Sequence, residues 1–159
     1  LCALIIMVEK SKKKDEALRK ELFNLYLSQT ERINNWDLVD LSCRFIIGEY
    51  LLDKSSDILY HLAQSPLLWD NRIAIVSTYA FIRKGQLEDT YALSDLMMQH
   101  PHDLMHKAIG WMLREAGKRD SERLYDYVMS HRADMPRTML RYAIEKFSPK
   151  ERAILMKRA

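Results

Sequence analysis

Three short stretches of the chain combine an aromatic ring with a formal charge at helical spacing. In Asn35-Trp36-Asp37-Leu38-Val39-Asp40, Trp36 and Asp40 stand four residues apart, so on a helix they share a face, with Asp37 one turn from Asp40. A ring face attracts a cation and a carboxylate supplies the opposite charge, so this pair suits a positively charged ligand. The same spacing allows plainer roles: Trp36 as packing, Asp37 as a first-turn charge favoured by the helix dipole, Asp40 as an ion-pair partner of Arg44. In Leu68-Trp69-Asp70-Asn71-Arg72, Trp69 reads as core. Arg72 reads as a phosphate contact, as a bidentate grip on Asp40, or as an exposed helix arginine. In the third stretch, 107–114, Lys107 and Trp111 share a face and Arg114 flanks them. Gly110 in the middle of that stretch costs roughly 0.5–1 kcal/mol relative to Ala. It calls for the close approach of a neighbouring helix or of a nucleic-acid backbone.

Other chemistries find no footing. His100, His102 and His106 cluster, but Pro101 interrupts them and no carboxylate–histidine pattern of a metal site accompanies them, so no metal and no cofactor is expected. No glycine-rich phosphate loop or nucleophile elbow occurs, and Ser42 and Cys43 lie in a helical stretch with no histidine nearby in sequence. Cys2 and Cys43 make neither a metal spacing nor a disulfide framework, which points to a reducing cytoplasm. Lys12-Lys13-Lys14 reads as a solvated helix start, with contact to DNA phosphates as the other option. The apolar run from Leu1 to Val8 is too short to span a bilayer, and no membrane association is expected. A net charge of +3 and a pI near 8.8 are compatible with nucleic acid without arguing for it.

The elements that must position these residues are all helices. Apolar residues recur at helical spacing almost throughout, nothing reads as a period-2 strand, and four Gly and four Pro in 159 residues leave few interruptions. The pattern predicts helices over 2–10, 13–29, 37–52, 55–64, 69–84, 88–99, 103–117, 121–132, 136–146 and 149–158. Asn34-Asn35 are placed to cap a helix beginning at Trp36, and Gly85 to stop one after Arg83-Lys84. Pro136 and Pro149 suit first turns. A basic–small–apolar pattern recurs at Arg72, Lys107 and Arg141, 35 and 34 residues apart. Counting 35 back from Arg72 lands on Asp37. Two helices in a period of that length predict a HEAT-like α-solenoid, an α-α superhelix whose second helices line one concave wall. One such domain over 1–159 is expected, as a monomer.

Ile-Asn-Asn-Trp-Asp-Leu-Val-Asp (33–40), Leu-Trp-Asp-Asn-Arg-Ile-Ala-Ile (68–75) and Lys-Ala-Ile-Gly-Trp-Met-Leu-Arg-Glu (107–115), in this order, resemble successive motifs of the DNA alkylation repair family. That family comprises HEAT-like-repeat glycosylases acting on 3- and 7-alkylated purines. The similarity extends over about residues 3–155. By this resemblance Asp40 is the catalytic carboxylate, with Trp36, Arg72 and Trp111 as its companions. Lys107, Arg114 and Arg141 are the expected contacts to DNA phosphates. Two departures accompany it. Full-length members have more helices ahead of the first motif, so an N-terminal portion is expected to be missing from a chain that opens on Leu1. Aromatic residues sometimes found just ahead of the third motif are replaced by Asp103, Leu104 and Met105, which bears on substrate grip.

The implied substrate is duplex DNA carrying a cationic N3- or N7-alkylpurine. Such a base leaves without prior protonation, so what remains is to stabilise positive charge on the sugar and to position water, both within reach of an aspartate. Two other readings stand beside this one: a catalytically silent DNA-structure-binding paralogue, and a protein-interaction scaffold. The scaffold requires Trp36 and Trp111 to be core.

Overall fold

The computed structural model describes residues 1–157. Every regular element among them is helical. Backbone proximity groups the chain into two compact units, residues 1–84 and the remainder from Gly85 onward.

The first unit runs α1 (Cys2–Ser11), α2 (Glu16–Ser28), a 3-10 turn (Thr30–Arg32), α3 (Trp36–Cys43), α4 (Glu49–Leu51), α5 (Asp57–Ala63), α6 (Leu68–Ser77) and α7 (Tyr79–Arg83). Residues 44–48 join α3 to α4 without a break, as a wider turn in which the Glu49 N–H donates to the Arg44 carbonyl five residues back. Such widened turns occur where a helix must shift its face. Here the shift brings Gly48 against the helix start of α7: a Cβ at Gly48 would collide with the Ser77 carbonyl and lie 2.9 Å from Ala80 Cβ. Val39, Cys43, Ile46 and Ile47 on this long helix are fully buried with Leu59, Ile73 and Ile75 from α5 and α6. Each such aliphatic side chain contributes about 1.5–3 kcal/mol by leaving water.

The second unit runs α8 (Glu88–Met97), α9 (Asp103–Gly117), α10 (Ser121–His131), α11 (Arg137–Ala143) and α12 (Pro149–Leu155). The spine is α9, whose Met105, Ala108, Ile109, Met112, Leu113 and Ala116 are buried at spacings of three and four. It packs most closely on α11 through Gly110: a Cβ there would stand 2.6 Å from both the Met139 carbonyl oxygen and Tyr142 Cβ. Helix–helix approach, rather than a nucleic-acid backbone, is therefore what this glycine serves.

The caps explain the boundaries. Asn35 accepts from the Asp37 N–H at 3.1 Å, as expected for a cap at the start of α3. Gly85 takes φ +76° after α7, a conformation that favours glycine. Ser148 and Glu151 form a capping box around Pro149. Several expected bounds shift. The helix expected from residue 13 starts at Glu16, because the Asp15 side chain accepts from the Leu18 N–H. The single helix expected over 69–84 is divided at Thr78, whose hydroxyl donates to the Ile75 carbonyl at 2.6 Å and tightens the turn. Pro136 is the extended residue ahead of α11 rather than its first turn. The predicted end of the last helix, residue 158, lies outside the described residues; α12 ends at Leu155.

Candidate active site

The long helix that begins at α3 presents Trp36 and Asp40 from its first two turns. Trp36 is 50% exposed, one of the few large apolar side chains left in solvent, so it is not a core residue. Asp40 is half-buried one turn further on. Its partner comes from α6: Arg72 Nε donates to Oδ1 at 2.9 Å and Nη2 donates to Oδ2 at 2.8 Å. Both oxygens of the carboxylate are thus held by one planar guanidinium, the strongest and most directional form of this pair. The side chain of Arg72 is 7% exposed and that of Asp40 19%, so the arginine lies behind and the carboxylate keeps an edge toward solvent. Of the roles open to Arg72 from spacing, the structure has the bidentate grip on Asp40. The Asp40–Arg44 pair allowed by spacing does not form. The Arg44 guanidinium instead lies 4.6 Å from the centre of the Phe45 ring and 5.1 Å from that of Tyr79.

Arg72 is itself held by the residue before it. Asn71 Nδ2 donates to the carbonyls of Leu62, Ala63 and Ser65 at 2.9, 3.1 and 2.9 Å, tying the first turn of α6 to the last carbonyls of α5. Ser65 Oγ donates to Asp70 at 2.6 Å. Sequence reading passed over Asn71 as anything but part of a motif. Its signal was an amide-bearing, buried helix position next to the arginine, which only the packing of α5 on α6 turns into a clamp. Trp69, expected in the core, is half-buried instead and lines a shallow depression with Thr30, Glu31 and Pro66.

Tyr26 and Ser42 hydroxyls share a hydrogen bond of 2.9 Å. Burial pushes the Cys43 thiol from its ordinary 9.0 up to about 12, with the Asp40 charge adding to the rise. A thiol this hard to ionise is no nucleophile near neutral pH.

The remaining predicted residues belong to the second unit. Trp111 on α9 is partly exposed, so it too is not a fully buried core residue. Lys107, one turn before it, is partly exposed and pairs with Asp103 at 3.2 Å, which lowers the Asp103 carboxyl below its usual range chiefly through that hydrogen bond. Arg114 donates to Glu145 on the far side of α11, so its charge is already matched. Arg141 on α11 is exposed and edges a shallow apolar depression with Ile144 and Pro149. The three repeat-related positions therefore differ in kind: Arg72 is buried and paired, Lys107 partly exposed, Arg141 in solvent. The histidines serve local backbone: His102 Nδ1 accepts from the Leu104 N–H at the start of α9, and His106 bonds the His100 carbonyl. No group of three or more His, Cys, Asp and Glu placed to hold a metal occurs among the described residues.

The profile of the family described as DNA alkylation repair enzyme matches residues 1–147. The chain belongs to the DNA alkylation repair enzyme family. Searches of curated proteins and of solved structures returned no match. Family membership assigns the all-α chain to the repair of alkylated DNA, and the matched span contains every candidate residue from Trp36 to Arg141. Among the described residues no helix is long and apolar enough to cross a membrane.

Proposed function

We propose that this DNA alkylation repair protein is a glycosylase that hydrolyses the bond between deoxyribose and a purine carrying an alkyl group at N3 or N7. The observation that carries this reading is the half-buried Asp40 carboxylate, gripped through both oxygens by Arg72, with the exposed Trp36 one turn before it on the same helix.

Alkylation at N3 or N7 makes the purine cationic. When the bond from C1′ to N9 breaks, its electron pair goes to the base, which leaves neutral, and positive charge gathers on the sugar. No acid is needed for departure. A carboxylate facing that sugar lowers the barrier electrostatically, and the same group accepts a proton from the water whose oxygen bonds to C1′. Arg72 acts through Asp40, fixing the plane of the carboxylate before substrate arrives, so no reorientation is required as charge develops. Trp36 offers a ring face to a cationic nucleoside and excludes water from one side of it. The second unit is proposed to contribute contacts of its own with duplex DNA: Trp111 by its ring, and Lys107, Arg114 and Arg141 by charge to phosphates. Arg114 would have to exchange Glu145 for a phosphate to do so.

The test is product identity. Incubating the chain with duplex DNA methylated at N7 of guanine is expected to yield free 7-methylguanine and, in equal number, abasic sites. Methyl groups lost without abasic sites would mean direct reversal of the lesion and would exclude a glycosylase.

A further inference from the structure

A second feature of the first unit is not used by the chemistry at Asp40. A cleft of about 550 Å³ opens at the far end of the long helix that carries Asp40, beside the end of α7. Lys12, Lys13 and Lys14 reach it from the turn between α1 and α2, Arg19 from α2, and Arg83 and Lys84 from the end of α7. Glu49 and Asp53 are its only acidic residues among the described residues. Six cations against two carboxylates leave a surplus of four, more than the +3 of the entire chain. Asp53 is moreover paired with Lys54 at 2.9 Å, which weakens its claim on the cleft.

Local structure accounts for some of these charges but not for the cluster. Arg83 and Lys84 suit the C-terminal end of α7, where the helix dipole favours cations. Lys12 closes α1 and pairs with Glu9. Arg19 donates to the Glu49 carbonyl at 2.9 Å, capping the long helix. Lys13, Lys14 and Lys84, however, have no carboxylate partner among the described residues. Lys14 directly precedes Asp15, the cap of α2, where the dipole disfavours a cation. Like charges gathered at one concavity repel each other unless an anion comes between them.

We propose that this cleft is a second site for the DNA backbone, taking phosphates of the same duplex whose lesion lies at Asp40. It rests on the reading of duplex DNA as substrate but not on the chemistry assigned to Asp40. From Asp40 to Leu52, at the cleft, the long helix advances twelve residues, about 18 Å at 1.5 Å per residue. That span covers roughly five base pairs of duplex at 3.4 Å each, so one short DNA segment reaches both ends of the helix.

Binding to an undamaged duplex, followed by fluorescence anisotropy over a range of salt, tests this without involving the reaction. The triple variant Lys13→Gln/Lys14→Gln/Lys84→Gln is compared with the parent and with Lys118→Gln/Lys146→Gln/Lys150→Gln, which removes the same charge from the second unit. Loss of three phosphate contacts is expected to flatten the slope of log K against log salt by about 2.7 and leave the control variant close to the parent. Failure of the Asp40 reading would show separately, in undiminished release of 7-methylguanine by Asp40→Asn, and not in the salt slope. An unchanged slope, an equal flattening in the control, or no duplex binding by the parent would each overturn the proposal.

Discussion

At Asp40 two demands compete: a carboxylate must be exposed enough to meet substrate and fixed enough to act without moving. Arg72 meets both by holding it from the buried side. Replacing Arg72 with Met removes that partner from a largely buried pair, and a loss of about 3 kcal/mol of stability is expected in chemical denaturation. A loss below about 1 kcal/mol would show that the pair is not structurally coupled. Trp36 is the opposite case. With half its surface in water, Trp36→Ala is expected to shift stability by less than about 1 kcal/mol while lowering methylpurine release at least tenfold; equal release would remove the ring from the mechanism. Cys43 offers a pH test. Its thiol is protonated in the folded state up to about 12, whereas the unfolded thiol ionises near its ordinary 9.0. The sign follows: the folded state binds the extra proton, so stability is whole below pH 9 and falls as pH rises through that window, by up to about 1.4 kcal/mol per unit from this group. Cys43→Ala is expected to flatten that alkaline loss, and a parallel pH profile would contradict it. That Trp36 and Asp40 stand one turn apart on one helix was legible in sequence. The partner of Asp40 was not settled, since Arg44 at four residues and Arg72 at thirty-two were both available and only packing of α3 on α6 decides between them.

The helices themselves were the most legible part. The cap at Asn35, the stop at Gly85, Pro149 in a first turn and burial at spacings of three and four read directly from residue types. What stayed hidden were features set by contact with another element: the widened turn at 44–48, the break at Thr78, and the half-exposed position of Trp69. Gly110 shows the same dependence. Sequence indicated that something approaches closely, and the backbone of α11 is what does so. Gly110→Ala gains helix propensity of about 0.5–1 kcal/mol but drives a methyl group into the Met139 carbonyl, and overpacking of this kind costs about 1–3 kcal/mol. Net destabilisation is expected in urea unfolding, and a stabilised variant would mean that α9 and α11 part easily.

For the whole molecule, family membership and an all-helical chain fix the setting, and the charge distribution gives it a direction. A net +3 would not by itself hold duplex DNA, so the proposed binding requires local clusters of basic residues. The repeat of 34–35 residues places related helices in both units, yet burial separates Arg72 from Lys107 and Arg141, so the period carries architecture further than it carries chemistry. The proposed chemistry turns on one carboxylate. The most direct measurement is single-turnover release of 7-methylguanine from alkylated duplex by the parent and by Asp40→Asn, with thermal unfolding of both recorded alongside. The account predicts release by the parent and a loss of at least a hundredfold in a variant that still unfolds cooperatively. Undiminished release by a folded Asp40→Asn variant would contradict it.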